Sequence, residues 1–404
     1  MDNKNGKGCK MVLRCIRCGR EYPEDEIRYR CECGGLLEVV VDLDKVDTKI
    51  FDGNNITLWK YESWLPVKKI VSLNEGGTPL YRLNNLEKIL GVKELYAKNE
   101  GANPTGSFKD RGMTVGVSKA LELGMKRVAC ASTGNTSASL AAYAAKAGIE
   151  AYVLVPSGKI ALGKLAQAII YGAKVIPIKG NFDDALRVVI EASEELGIYM
   201  LNSINPFRLE GQKTIAYEIY DQLQKVPDNV VLPVGNAGNI SAIWKGFKEL
   251  YEAGVIDKLP RMIGIQAEGA SPLAKAWKEK RKFKPEKNPE TLATAIRIGN
   301  PANWEKAWRA VEESGGMFEI VSDEEILKAQ RILASKEGLF VEPASAASLA
   351  GLIKLLNEEK VDRDESFVLV TTGHGLKDPD IVLRNFKLPE PIEPTLDAFR
   401  RVIE

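Results

Sequence analysis

Residues 126–156, KRVACASTGNTSASLAAYAAKAGIEAYVLVP, contain an apolar run, an alanine-rich amphipathic run and a second apolar run. The outer runs predict buried strands, and the middle run predicts a helix that ends at Gly148. A strand, a helix and a second strand in this order form a right-handed unit with parallel strands. Such a unit places the loop STGNTSAS at the carboxyl end of the first strand, where open α/β sheets bind ligands.

The same alternation continues along the chain from about residue 70. Apolar runs such as NVVLPVG and SFVLVTTG are separated by helical stretches of roughly ten to fifteen residues. Continuous apolar strands between helices indicate parallel sheets that are covered on both faces. The predicted fold class is therefore α/β, with two open, mainly parallel sheet domains in 46–404. We expect a smaller, mobile subdomain at about 115–215 and a separate extension at 1–45.

Composition and charge argue against several classes of function. Lys plus Arg (56) nearly equals Asp plus Glu (55), so a net charge of +1 gives no electrostatic support for a nucleic-acid partner. The N-terminus lacks the apolar run of a signal peptide, and no stretch approaches the roughly 20 apolar residues of a membrane span. We therefore expect a cytoplasmic protein without a membrane partner. His374 is the single histidine and no GxSxG motif is present, so we interpret His374 as local structure.

Four cysteines near the N-terminus have the spacing of a metal site. Cys15 and Cys18 form a CxxC pair, and Cys31 and Cys33 form a CxC pair, with glycine after each pair. Four thiolates can complete a tetrahedral shell around Zn²⁺, and a reducing cytosol favours metal ligation over disulfides. The pattern predicts a structural zinc ribbon, although the CxC pair departs from the usual second CxxC. The alternative is four free cysteines in a loop.

The stretch NPTGSFKDRG (103–112) places a lysine at the predicted start of a helix. Ser107 is the expected N-cap, which puts Lys109 in the first turn beside free backbone N–H groups. First turns prefer acidic residues, so a lysine there is unusual. A positive local potential and burial lower the pKa of an amine and make it a better nucleophile toward an aldehyde. From these residues alone, an exposed surface lysine and a Schiff-base lysine both remain open.

Two glycine-rich loops indicate a phosphate-bearing ligand. STGNTSAS (132–139) and PVGNAGNIS (233–241) each follow a predicted strand and open a helix. The second loop has the build of an anion site at a helix N-terminus, and it is neither a Walker A loop nor a GxGxxG motif. The stretch VLVTTGHG (368–375) ends a further strand in two threonines. A plain strand-to-helix turn is the alternative for one such loop, but two loops and a lysine together favour a shared ligand.

In this order, SFKDRG, STGNTSAS, VGNAGN and TTGHG resemble the motifs of pyridoxal-phosphate (PLP) enzymes of fold type II, the tryptophan synthase β-like family. The segments LWKYESWLP and LNSINPFRLEGQKT are most similar to its threonine synthase branch. The resemblance covers roughly residues 55–380, and a zinc-ribbon-like extension is compatible with some members. It implies two open-sheet domains that enclose PLP in their cleft.

The resemblance implies a role for each cofactor-binding residue. Lys109 would form the Schiff base with PLP, and Phe108 would pack near the ring. Asn135 would donate to the 3′-oxygen, and Thr372 would face the pyridine nitrogen. A neutral hydroxyl there tempers the electron sink, which suits elimination and replacement rather than transamination. The cofactor phosphate would lie in the glycine-rich loop formed by Gly235, Asn236, Ala237, Gly238 and Asn239.

The implied substrate is O-phospho-L-homoserine, converted to L-threonine by γ-elimination of phosphate and β-addition of water in the last step of threonine biosynthesis. Lys109 would carry the proton transfers. The substrate phosphate requires a second site, for which a hydroxyl and a guanidinium fork are suited. The side chains expected there are Ser132, Thr136, Ser203, Arg208 and Asn239. The resemblance also implies a homodimer.

Other readings of the same motifs remain. One is another fold type II enzyme, such as a threonine dehydratase or a cysteate synthase that acts on O-phosphoserine and sulfite. The other is a non-catalytic regulator that retains the fold, which the presence of Lys109 and every cofactor motif disfavours. Asp110 and Arg111 have no assigned role, and we expect them to brace the helix.

Overall fold

A computed structural model of the chain describes residues 11–54, 56–157, 162–180, 182–385 and 390–403. The strands of these residues are β1 (Val12–Cys15), β2 (Glu21–Pro23), β3 (Leu37–Val40), β4 (Leu80–Arg82), β5 (Glu94–Asn99), β6 (Arg127–Ala131), β7 (Glu150–Pro156), β8 (Lys174–Ile178), β9 (Tyr199–Met200), β10 (Asn229–Pro233), β11 (Arg261–Ala267), β12 (Met317–Val321) and β13 (Ser366–Thr371). The helices are α1 (Asn84–Leu90), α2 (Lys109–Glu122), α3 (Asn135–Ala147), α4 (Leu162–Ile170), α5 (Phe182–Glu195), α6 (Pro206–Leu223), α7 (Gly238–Glu252), α8 (Pro272–Lys278), α9 (Trp304–Glu313), α10 (Asp323–Glu337), α11 (Pro343–Asn357), α12 (Pro379–Asn385) and α13 (Leu396–Ile403).

The larger sheet has the strand order β12-β11-β10-β13-β5-β4. Its pairs are parallel except for the antiparallel pair of β4 and β5. Successive residues of a strand face opposite sides of a sheet, and β10 shows what each side meets. Val231 packs with the cluster that α10 and α11 cover, and Val230 and Leu232 pack with the cluster that α7 and α9 cover. Both faces of this sheet are therefore covered by helices, as its continuous apolar runs predict.

The smaller sheet has the order β8-β7-β6-β9, and its strand pairs are all parallel. Val128 and Cys130 of β6 face α3 and α4, whereas Ala129 and Ala131 face α5. The sheet and these helices occupy residues 127–200, inside the interval 115–215. The predicted α/β class with mainly parallel sheets is confirmed, and the domain boundaries stay a prediction.

The N-terminal strands form a third sheet, in which β1 pairs antiparallel with both β2 and β3. Leu13, Leu37 and Val39 are buried in a cluster that includes Phe207 of α6. The Tyr29 hydroxyl also accepts a hydrogen bond from the Met200 backbone N–H of the smaller sheet at 2.8 Å. This ribbon therefore contacts both helix α6 and the smaller sheet.

Within the described ranges, we find no helix that is long and apolar enough to cross a membrane.

A fully buried ion network connects α2, α6 and β5. Arg111 donates to Glu100 at 2.6 and 2.8 Å and to Glu218 at 2.6 and 2.7 Å. Lys98 donates to Glu218 at 2.7 Å. The four side chains are 0% exposed, and their two positive and two negative charges balance. Because a buried charge is costly unless it is paired, this network fixes the relative positions of the three elements.

We expect Glu218→Gln to destabilise the protein by about 3–5 kcal/mol, because it leaves two buried cations beside one carboxylate. Urea unfolding measures the change. The matched control is Glu191→Gln on α5, which removes an exposed carboxylate paired with Arg187 and should cost less than about 0.5 kcal/mol. Equal losses in the two variants would contradict the assigned role of the network.

Candidate active site

The helix that carries Lys109 begins at this residue. Phe108 occupies the N-cap position and has no side-chain cap, so the expectation that Ser107 is the N-cap is wrong by one residue. Phe108 already has helical dihedral angles (φ −58, ψ −13), and its backbone therefore turns the chain into the helix. The Ser107 hydroxyl still accepts the Lys109 N–H at 3.4 Å. The structure thus places Lys109 in the first turn of α2.

The Lys109 amine is half-buried and lies 4.2 Å from the centroid of the Phe108 ring. Among the described residues it has no hydrogen-bond or ion-pair partner. Burial and then the positive charge of Arg208 lower the pKa of Lys109 to about 7, and the Glu342 carboxylate acts in the opposite direction. A large fraction of the amine is therefore uncharged near neutral pH and can attack a carbonyl carbon.

The end of β13 lies directly beside the lysine loop. The Phe108 backbone N–H donates to the Thr372 carbonyl at 3.0 Å, and Ser107 pairs with Gly373 in an isolated bridge. The buried Thr372 hydroxyl lies 3.0 Å from the hydroxyl of Ser345 on α11. This backbone pairing brings Phe108, Lys109 and Thr372 together. His374, two residues after Thr372, accepts the Leu376 N–H at its Nδ1 atom (3.1 Å), which fits a local structural role.

The glycine-rich loop from Gly235 to Asn239 leads into α7. Ala237 is the N-cap residue in the left-handed conformation (φ 64), and it makes no side-chain cap. The N–H groups of the first turn therefore remain available at the positive end of the helix dipole. The loop is braced at Asn236, whose carbonyl accepts the Asn303 N–H at 3.1 Å. This geometry fits a phosphate group.

Two buried polar atoms at this site, Arg208 Nε and Asn239 Oδ1, have no hydrogen-bond partner among the described residues. Arg208 is 2% exposed, so its side chain is buried rather than on the protein surface. Its Nη1 atom donates to the Leu201 carbonyl at 3.0 Å. Burial lowers the pKa of Arg208 to about 10, which still leaves the guanidinium charged at neutral pH. An unsatisfied buried polar atom costs about 1–3 kcal/mol, and a bound ligand would supply the missing partner.

The smaller sheet contributes the remaining predicted residues at the ends of two adjacent strands. Ser132 follows β6, and Asn135 and Thr136 begin α3. Ser203 follows β9, which pairs with β6, and its carbonyl accepts from the Asn303 side chain at 2.9 Å. Because β6 and β9 are parallel, their following loops meet at one edge of the sheet.

Glu342 is a residue of this site that the sequence did not single out. Its carboxylate oxygens accept from Asn135 Nδ2 at 3.2 and 3.1 Å. The only local signal is an acidic residue before the first proline of a helix, which is also common at ordinary helix starts. Asp110, for which we expected a bracing role, accepts from the Thr105 and Ser139 hydroxyls at 2.6 Å each.

The side chains assembled here fit PLP. Lys109 offers a reactive amine for its aldehyde, the loop before α7 offers N–H groups for its phosphate, and Thr372 offers a hydroxyl for its ring nitrogen. Arg208 Nε and Asn239 Oδ1, which have no partner among the described residues, can form hydrogen bonds with a second ligand.

The N-terminal cysteines form a second cluster. The Sγ atoms of Cys15, Cys18, Cys31 and Cys33 lie within 4.8 Å of one another. Three of the separations are 3.5 Å, close to the ~3.8 Å between ligands in a tetrahedral shell with bonds of ~2.3 Å. A Cβ atom at Gly35 would lie 2.7 Å from Cys15 Sγ, so this turn requires glycine. The cluster can hold a metal ion.

We expect Lys109 of the PLP-free, full-length chain to react with an amine-arylating reagent along a titration curve with a midpoint at about pH 7. An ordinary lysine has a pKa of about 10.4. The rate is followed by mass spectrometry of the Lys109 peptide, and Lys109→Ala identifies that peptide by its loss. A midpoint near the ordinary lysine value would contradict the effect assigned to burial and to the charge of Arg208.

Comparison with known proteins identifies the family of this chain. The sequence profile of the family described as "Pyridoxal-phosphate dependent enzyme" matches residues 71–373. The threonine synthase of Methanocaldococcus jannaschii is 62% identical over 98% of this chain and 100% of the relative. That of Methanosarcina acetivorans is 58% identical over 97% of this chain and 98% of the relative. The processed threonine deaminase isoform 2 of Solanum lycopersicum shares the fold, with a TM-score of 0.65 and 23% identity over 76% of this chain and 86% of the solved chain. The chain therefore belongs to the pyridoxal-phosphate dependent enzymes and, within them, to the threonine synthases.

Proposed function

We propose that this PLP-dependent lyase converts O-phospho-L-homoserine and water to L-threonine and phosphate. The observation that carries the proposal is the buried, charged Arg208, whose Nε atom has no partner among the described residues and which acts electrostatically on Lys109. The loop before α7 accounts for one phosphate, that of the cofactor. A second buried cation suits a substrate that carries its own phosphate group.

Five groups of the chain would hold PLP: Lys109 Nζ at the aldehyde carbon, Phe108 beside the ring, Asn135 at the 3′-oxygen, Thr372 at the ring nitrogen, and the segment from Gly235 to Asn239 at the phosphate. When bound, PLP supplies the electron sink that allows bonds near the amino-bearing carbon of the substrate to break. Thr372 offers the ring nitrogen a hydrogen bond without a negative charge. This limits the sink and favours elimination and replacement over transamination.

The substrate phosphate would be held by Arg208 together with neutral donors. A guanidinium can donate two parallel hydrogen bonds to a phosphate dianion, and hydroxyl and amide groups can satisfy the remaining oxygens. The side chains proposed for this role are Ser132, Thr136, Ser203, Arg208 and Asn239. Their binding energy orients the phosphate that leaves.

Lys109 is the proposed proton carrier of the reaction. An amine with a pKa of about 7 can both accept and donate a proton near neutral pH, which is the range in which general acid–base catalysis is most efficient. The elimination and the later addition of water require protons to move at several substrate carbons. One amine on a fixed helix start can serve these positions in turn.

We further propose that the segment 115–215 closes on the bound substrate and excludes water that would divert intermediates. The resemblance to the threonine synthases supports a homodimer and a cytoplasmic location. We also propose that the extension at 1–45, of which the structure describes residues 11–45, is a zinc ribbon. The spacing of its four thiols, close to that of a tetrahedral shell, supports this proposal.

The decisive experiment is turnover of O-phospho-L-homoserine by the PLP-loaded enzyme, with phosphate and threonine both quantified. Equal amounts of the two products are expected, and Lys109→Ala should lower the rate by about 10³-fold because the proton carrier is lost. Lys336→Ala, an exposed lysine at the end of α10, is the matched control. Parallel reactions with O-phosphoserine plus sulfite, and with threonine alone, test the two related enzymes. Phosphate release without threonine, or an active Lys109→Ala variant, would refute the proposal.

Elemental analysis of the purified chain should find about one zinc ion per chain. The Cys15→Ser/Cys18→Ser double variant should lose this zinc, because a hydroxyl is a much poorer ligand than a thiolate. Cys130→Ser, which changes a buried cysteine outside the ribbon, should retain it. Retention of zinc by the double variant would exclude the cluster as the metal site.

A further inference from the structure

Glu342 lies at the junction between the lysine loop and the end of β13. It is the N-cap residue of α11, and its backbone N–H donates to the Gly373 carbonyl at 3.0 Å. The side chain is 5% exposed and lies directly against Gly373, where a Cβ atom would be 2.6 Å from Glu342 Oε1. The carboxylate is therefore held next to Thr372, the residue proposed for the cofactor ring nitrogen.

The hydrogen bond from Asn135 determines how the amide of that residue is oriented. An ionised carboxylate only accepts hydrogen bonds, so the NH₂ end of Asn135 must face Glu342. The second amide hydrogen and Asn135 Oδ1 remain available to a ligand. Asn135 begins α3 on the smaller sheet, and Glu342 precedes α11 on the larger sheet. The hydrogen bond between them therefore also connects the two sheets at the site.

The charges around Glu342 connect it to Lys109. Burial raises the pKa of Glu342, whereas the hydrogen bond from Asn135 and the positive charges of Lys377 and Lys109 lower it, and Asp378 raises it further. In return, the Glu342 carboxylate raises the pKa of Lys109, against burial and the charge of Arg208. The charged groups that act on Lys109 are thus Arg208 from α6 and Glu342 from the start of α11.

We propose that Glu342 is a positioning residue of this site, which orients the Asn135 amide and supplies the negative charge that faces the Lys109 amine. The proposal rests on the proposed role of Lys109. Without that negative charge, burial and Arg208 would hold the amine unprotonated at neutral pH. The amine would then be a weaker base, and little of its protonated form would be present at neutral pH to donate a proton to the substrate.

The test is Glu342→Gln, which preserves the size of the side chain and an acceptor for Asn135 but removes the charge. In the PLP-free, full-length chain, the midpoint of Lys109 arylation should fall by roughly one pH unit, because the protonated amine loses its neighbouring carboxylate. A structural role alone would not move this midpoint. In the loaded enzyme, we expect kcat at neutral pH to fall about tenfold.

The matched control is Glu358→Gln, which removes an exposed carboxylate at the opposite end of α11 and should leave the midpoint unchanged. An unchanged midpoint in Glu342→Gln, or an equal shift in Glu358→Gln, overturns the proposal. If Glu342→Gln does not fold, Glu342→Asp decides. The aspartate retains the negative charge, so the midpoint of Lys109 arylation should stay unchanged while kcat falls. A midpoint lowered by a full pH unit would refute the role assigned to the charge of Glu342. Because arylation involves no substrate, failure to form threonine would not affect this result.

Discussion

The position of Lys109 depends on a buried ion network two residues further along its helix. Arg111 can be buried because its guanidinium donates to the carboxylates of Glu100 and Glu218 from two sides. The hydroxyls of Thr214 and Thr78 accept the other two hydrogen bonds. Glu100 follows β5 and Glu218 lies on α6, so the charges are balanced only when α2 is in one register relative to both. If α2 shifted along its axis, Arg111 would lose its partners and a buried charge would remain unpaired. The Lys109 amine is therefore positioned by the ion pairs of Arg111 on the same helix rather than by hydrogen bonds of its own.

The second constraint is a backbone junction between segments that are far apart in the chain. Gly106 and Phe108 pair with the residues after β13, and Val341 pairs with His374. These main-chain hydrogen bonds do not involve the side chains of Lys109, Thr372 and Glu342, which remain available for other contacts. The main chain thus fixes one side of the site, and the loops after β6 and β9 of the smaller sheet supply the remaining residues.

The sequence contains enough information to predict the sheets, the lysine loop and the cysteine cluster, because each depends on local patterns. Continuous apolar runs predict β10 and β13, and glycine-rich loops predict the helix starts that follow β6 and β10. The short strand β4 (Leu80–Arg82) has no such run, and it pairs antiparallel at a sheet edge. Local patterns could not identify it.

Helix α6 shows why burial of charge is hard to predict. Its sequence mixes polar and apolar residues without a clear apolar face, so the pattern does not predict which side of the helix is buried. In the structure it is nearly all buried, because Lys213 pairs with Glu210 and Glu249, and Glu218 pairs with Arg111 and Lys98. Most of these partners lie tens of residues away in the chain. The same separation hides Glu342, whose partner Asn135 precedes it by 207 residues.

The way in which the rest of the chain holds the ribbon determines which substitutions the ribbon can tolerate. Lys306, Lys245 and Arg309 donate to the carbonyl oxygens of Leu37, Val39 and Ile16, at 2.7, 2.6 and 2.6 Å. A carbonyl oxygen is present whatever side chain the residue bears. The four cysteines, the buried positions and side chains such as Tyr29 and Arg17 also hold the ribbon. At its other positions, the ribbon can accept substitutions without losing these contacts. Side chains on the ribbon surface can therefore change while the hydrogen bonds to its carbonyl oxygens remain.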